Sequence, residues 1–150
     1  MEWSKKEKEN PTRTITAQER SRRILVVDDN RAIRNVISRM LRLMGFDVAL
    51  AGNGIEALAA FIESSFDLVV TDLQMPAMDG SKLALLVKER SPNTPVILIT
   101  GTDGETVWKK VTKGSVDSVI FKPFKLKDFQ CAVQGALAAG QGEQGSLGVG

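Results

Sequence analysis

The chain has 150 residues, 43% of them hydrophobic, and 20 Lys/Arg against 18 Asp/Glu give a formal net charge of +2. That describes one ordinary globular domain with a single core, and so slight a charge excess gives no reason to expect a nucleic-acid surface. Histidine is absent, which excludes a histidine phosphodonor, a Ser-His-Asp triad and any imidazole metal site within this sequence.

Residues 1–23 carry seven Lys/Arg against four Glu, whereas residues 24–150 carry 13 basic and 14 acidic groups. The apolar-poor run WSKKEKENPTRT reads as a flexible or weakly helical charged arm over residues 1–22. A nucleic-acid or membrane contact is the alternative reading of its charge, but the interrupting glutamates favour a solubilising extension. A folded unit follows over residues 23–139.

Ile24-Leu25-Val26-Val27 is a continuous aliphatic run, the pattern of a strand covered on both faces, and it stops at Asp28-Asp29. Asn30 is placed to cap a helix. In that helix Ile33, Val36, Ile37, Met40, Leu41 and Met44 recur at helical spacing, and Gly45 ends it. Arg31, Arg34, Arg39 and Arg42 read as its solvated face, with contact to a partner protein as the alternative. Phe46 to Ala51 is a second strand, and Gly54 to Ser64 a second helix expected to bury Ile55, Leu58, Ala59 and Ile62.

Leu68 to Thr71 forms a third strand ending at Asp72. After a Met-Pro loop, Ser81 to Arg90 is a helix with Leu83, Leu86 and Val87 inward. Val96 to Ile99 is a fourth strand ending at Thr100. A short helix around Glu105 to Thr112 turns Val107 and Val111 to the core. Asp117 to Phe121 is a fifth strand ending at Lys122, and a last helix from Lys125 to Ala139 buries Leu126, Phe129, Val133 and Leu137. Cys131, the single cysteine, is expected to be a small, partly buried helix residue that suits a reducing compartment. Gly140 to Gly150 reads as a disordered tail or linker. No apolar run approaches the roughly 20 residues of a membrane span and no signal-peptide core opens the chain, so the expectation is a cytoplasmic domain without membrane contact. Alternation of strand and helix with short connections implies an α/β fold, a doubly wound parallel sheet.

In such a sheet ligands bind beyond the C-terminal strand ends. Those ends carry Asp28, Asp29, Asp72, Thr100 and Lys122. Three carboxylates brought together would repel unless a cation sat among them, and oxygen donors without His or Cys favour Mg²⁺ or Mn²⁺ over zinc. Lys122 would offset part of the charge and hold an anion beside the metal. A carboxylate, a lysine, a hydroxyl and a metal around one anion suggest phosphoryl transfer to aspartate. Taken singly, Asp28-Asp29-Asn30 is a capped helix start, Asp72 a loop acid, Thr100-Gly101 a strand end and Lys122-Pro123 a turn. Their joint occurrence at strand ends is the signal.

The segments LVVDDN, LVVTDLQMPAMDG, VILITG and FKPF, in this order and spacing, resemble the receiver domain of two-component response regulators over residues 23–139. The resemblance implies a (βα)₅ flavodoxin-like fold with strand order 2-1-3-4-5. It makes Asp72 the phosphoacceptor and Asp28 (directly or through water), Asp29, Asp72 and the carbonyl of Gln74 the Mg²⁺ ligands. Lys122 pairs with the phosphoryl group, and Thr100 turns inward to it. It implies a cis peptide between Lys122 and Pro123, a sharp turn at Gly80 and free space at Gly101. Gln74 and Thr102 occupy the positions that influence hydrolysis in the family.

The phosphodonor implied is a histidine kinase or phosphotransfer protein, and the output is a downstream protein target or dimerisation through the output face. That face is the fourth helix, fifth strand and fifth helix. The family couples its switch to an aromatic residue where this sequence has Val119, and Phe121, two residues on along the same strand face, is the candidate substitute. Trp108 is either a partner anchor or, as preferred, a cover for the core edge. No DNA-binding helix-turn-helix follows residue 139, so direct operator binding through this sequence is not expected. Two alternatives differ in class. One is a Mg²⁺-dependent phosphatase or phosphotransferase working through an aspartyl phosphate, which would usually place an acid where Gln74 stands. The other is an interaction module indifferent to phosphorylation.

Overall fold

The structure, a computed structural model, describes residues 21–149 except Thr102, with side chains through Ala139. Most of the expected N-terminal arm, Thr102 and Gly150 lie outside the described residues. In chain order the elements are β1 (Arg23–Val27), α1 (Arg31–Leu43), β2 (Asp47–Ala51), α2 (Gly54–Glu63), β3 (Leu68–Asp72), α3 (Gly80–Arg90), β4 (Val96–Thr100), α4 (Gly104–Lys110), β5 (Ser118–Phe121) and α5 (Leu126–Val149).

All neighbouring strands pair in parallel, in the order β2-β1-β3-β4-β5. The central strands are buried on both faces, which is why they read as unbroken aliphatic runs. Ile24, Val26, Val70, Ile97 and Ile99 point to one face and pack with Ile37 and Leu41 of α1 and Phe129 and Val133 of α5. Leu25, Val27 and Val69 point to the other, against Ala57 and Phe61 of α2 and Leu83 and Val87 of α3. A smaller cluster of Leu73, Leu98 and Val107 lies under α4. Strand order reverses between β1 and β3, so the crevice of this sheet opens where Val27 and Asp72 end their strands.

Short side chains cap the helices at that same edge. The Oδ1 atoms of Asn30, Asn53, Asp79 and Asp103 accept from the amides of Ile33, Glu56, Lys82 and Thr106 at 2.8–3.1 Å. Each supplies a partner to an amide that the first helical turn leaves free.

Four expectations are corrected. The stripe expected on α2 is out of phase: Ile55 is 59% and Ile62 51% exposed, whereas Gly54, Ala57 and Phe61 are buried. The reason is close approach, because a Cβ at Gly54 would lie 2.9 Å from Met78. Helix and loop meet where the side chains are smallest, and the aliphatic stripe is left outside. Val36 of α1 and Leu126 of α5 are likewise exposed, and Cys131 is exposed rather than partly buried. The last helix continues to Val149 instead of ending at Ala139; once a helix is nucleated, each further residue adds a hydrogen bond at small cost, and Gln, Glu and Leu interleave the glycines.

Candidate functional site

The C-terminal ends of β1 and β3 bring Asp28, Asp29 and Asp72 together. One carboxylate oxygen from each lies within 4.8 Å of the others. Asp28 is 1% exposed, Asp72 is half-buried and Asp29 is exposed.

The Asp28 main chain is held on both sides, its N–H donating to the Ala51 carbonyl at 3.2 Å and its C=O accepting from Arg34 Nη1 at 2.7 Å. Its Oδ1 accepts from the Asn30 amide at 2.8 Å, and its Oδ2 is buried without a hydrogen-bond partner among the described residues. A buried carboxylate oxygen without a partner is costly. Burial pushes the Asp28 carboxyl above the usual carboxylate range, against the Asn30 amide and the Lys122 charge, which pull it down.

Asp72 Oδ1 accepts from the Leu73 amide at 3.0 Å and lies 3.5 Å from Lys122 Nζ. Burial also raises its carboxyl, and the neighbouring Asp28 charge adds to the rise while Lys122 opposes it. At 3.5 Å the ammonium offsets the crowding without closing a tight ion pair. The buried Asp28 oxygen and an all-oxygen donor set fit a hard cation such as Mg²⁺.

Lys122 follows β5 directly. Its amide donates to the Thr100 carbonyl at 2.8 Å, and the peptide to Pro123 is cis. Thr100 ends β4, buried, opposite Phe121 in the strand register. Among the described residues nothing lies within 4 Å of a Cβ at Gly101. Gln74 is exposed on the loop after β3. That loop takes Ala77 through φ +70° and returns at Gly80, whose amide donates to the Leu73 carbonyl at 2.7 Å. A Cβ at Gly80 would fall onto the Asp72 carbonyl oxygen, so glycine is required for the loop to close under the acid.

Val119 packs against the cluster of Leu73, Leu98 and Val107. Phe121 is 40% and Trp108 59% exposed, which is against the reading of Trp108 as a cover for the core edge. Both reach the first turn of α4, with Phe121 Cζ 3.7 Å and Trp108 Nε1 4.0 Å from a Cβ at Gly104.

Sequence reasoning missed Arg34, which it grouped with the solvated arginines of α1. Its position was a usable signal, since one turn inside the capped helix start it faces back towards Asp28. A cavity of about 540 Å³ beside Lys88, Asp117 and Cys131 lies at the opposite edge of the sheet and holds none of these acids. The site is therefore defined by its donor set and not by enclosed volume. Among the described residues no helix is long and apolar enough to cross a membrane.

The family model described as "Response regulator receiver domain" matches residues 24–134. Regulatory protein AtoC of Escherichia coli (strain K12) is 40% identical over 116 residues, which cover 77% of this chain and 25% of that protein. The chain spans 25–55% of the lengths of the curated relatives it matches. Among solved structures, chemotaxis protein CheY4 of Vibrio cholerae superposes with TM-score 0.74 at 28% identity, covering 79% of this chain and all of that one. Response regulator protein TrrA of Thermotoga maritima, in complex with Mg²⁺-BeF, superposes with TM-score 0.71 at 29% identity, covering 77% of this chain and 99% of that one.

Proposed function

This chain belongs to the response regulator receiver domain family of two-component signalling, and on that premise we propose that it accepts a phosphoryl group on Asp72. The donor is a phosphohistidine of a histidine kinase or phosphotransfer protein, and the chain meets it in the cytoplasm. The observation that carries this reading is the meeting of three carboxylates within 4.8 Å, with Lys122 Nζ 3.5 Å from Asp72 Oδ1. Crystallisation of the related TrrA with Mg²⁺-BeF supports the cation.

Asp28, Asp29 and Asp72, with the Gln74 carbonyl, are the residues to hold Mg²⁺. Bound there, the ion would neutralise charge on the phosphoryl oxygens and so let a carboxylate approach them. An oxygen of Asp72 attacks phosphorus, and the electron pair of the P–N bond leaves on the donor imidazole. Lys122 Nζ, already turned to Asp72, pairs with a phosphoryl oxygen. The Thr100 hydroxyl hydrogen-bonds another after moving out of its buried position. Attack of water on the phosphorus of the acyl phosphate releases inorganic phosphate, restores the Asp72 carboxylate and reverses the state; Gln74 and Thr102 occupy the sequence positions that influence this hydrolysis in the family. The chain promotes its own phosphorylation and slow dephosphorylation and is not a turnover enzyme.

The added charge is read at α4, β5 and α5 by a downstream protein or a second copy of the chain, with Val119, Phe121 and Trp108 on the route. Intact mass after incubation with acetyl phosphate and Mg²⁺ tests the reading. One phosphoryl adduct is expected on wild type, lost in Asp72→Asn and with a chelator. No adduct, together with no response to beryllofluoride, would overturn it in favour of an interaction module indifferent to phosphorylation. Steady turnover of a small phosphate ester would favour the enzyme.

A further inference from the structure

Four arginines lie on α1, and one differs from the rest. Arg31, Arg39 and Arg42 are exposed, whereas Arg34 is half-buried and its Nη1 donates to the Asp28 carbonyl at 2.7 Å. The guanidinium also fills the space beside Gly52, where a Cβ would stand 3.3 Å from Nη1 and 4.0 Å from Cζ. Gly52 belongs to the turn after β2, and its amide is held by Glu56 Oε1 at 2.8 Å. One planar group therefore lies between the turn that carries Asp28 and Asp29 and the turn of the neighbouring strand. With the Ala51 carbonyl and the Asn30 amide it occupies every polar group of Asp28 except Oδ2.

We infer that Arg34 is a positioning residue for the acid corner, clamping the Asp28 carbonyl so that Asp28 and Asp29 face Asp72. This rests on the cation site proposed above. Geometry and charge predict opposite signs for its removal. As a positive charge near the site, Arg34 repels a cation, and its loss alone would tighten binding. As a clamp it holds ligands in place, and its loss weakens binding; partners that orient metal ligands are typically worth about 10–100-fold in affinity.

The test is Mn²⁺ affinity of the intact chain, from the free-ion electron paramagnetic resonance signal, beside the metal-free melting temperature. Wild type is expected to bind and Asp29→Asn to lose most of that binding. Arg34→Gln is expected to weaken it about tenfold. Arg34→Lys keeps the charge but not the planar fork and should fall between the two. Gly52→Ala keeps the guanidinium but presses on it, and should weaken binding in the same direction by less. If Arg34→Gln binds Mn²⁺ as tightly as wild type or tighter while Asp29→Asn is impaired, the clamp is refuted and the cation site stands. A lower melting temperature with unchanged affinity refutes it too, since Arg34 would then only support the fold. Should Arg34→Gln not fold, unchanged affinity in Gly52→Ala refutes the clamp in its place. A wild type that binds no Mn²⁺ overturns the cation site and this inference together.

Discussion

The acid corner and the α4–β5 edge both hang on strand ends of one sheet, yet they are built differently. At the corner, Asp28 has three of its four polar groups fixed by named partners, and the loop beneath Asp72 closes so tightly that only glycine fits at position 80. At the edge, α4 is seven residues long with Val107 its one buried residue, and Trp108 and Phe121 are 59% and 40% exposed. Chemistry that depends on placing charges within a few tenths of an ångström gains from the first construction. A signal that must move side chains gains from the second, because elements with few buried contacts open and shift at low cost.

The same substitution at one glycine in each region sharpens this contrast most. Gly80→Ala drives a methyl group onto the Asp72 carbonyl and to 2.9 Å from Leu98 Cδ1, and overpacking of this kind should destabilise by about 3 kcal/mol. Gly101→Ala meets nothing within 4 Å among the described residues and should stay within about 0.5 kcal/mol of wild type. Urea unfolding of both variants measures the difference, and equal losses would show that the two loops are equally rigid.

A smaller effect separates crowded charge from packing at the corner. Burial and the Asp28 charge raise the Asp72 carboxyl above its unfolded value of 3.8, so folding disfavours its charged form. Its ionisation therefore costs stability, a cost absent below the unfolded pKa and fully present once pH exceeds the folded one. In metal-free protein Asp72→Asn should melt a few degrees above wild type at pH 7, and the gap should close as pH falls towards 4. A gap that persists at acid pH would assign the gain to packing instead.

Much of the corner was legible because each candidate site residue or pair directly follows an aliphatic run: ILVV before Asp28-Asp29, LVVT before Asp72, VILI before Thr100 and VIF before Lys122. A doubly buried strand is the easiest element to see in a sequence, and its end marks where a crevice opens. Helix phase was less legible. On α2 hydropathy selects Ile55, Ala59 and Ile62, but the packed face is Gly54, Ala57 and Phe61, since close approach rewards small side chains that hydropathy scores poorly. Arg34 was hidden for a related reason: an arginine on a helix counts as solvated until a carbonyl is found within its reach.

The finest distinction concerns which side chain of β5 would carry the proposed switch. Val119 lies opposite Leu98 in the register and packs with the small cluster under α4, whereas Phe121 lies opposite Thr100, the residue expected to move. The Phe121 and Trp108 rings approach the same point above Gly104, so displacement of Phe121 alters the surroundings of the Trp108 indole. Only two tryptophans are present, and Trp3→Phe isolates the signal of Trp108. In that background beryllofluoride with Mg²⁺ should change the emission. Phe121→Leu should abolish the change and cost less than about 1 kcal/mol, since the ring is 40% exposed. Val119→Ala should leave the change in place. The reverse pattern, a response lost with Val119→Ala and kept with Phe121→Leu, would move the switch from the exposed ring to the packed cluster and make the edge as tightly coupled as the corner.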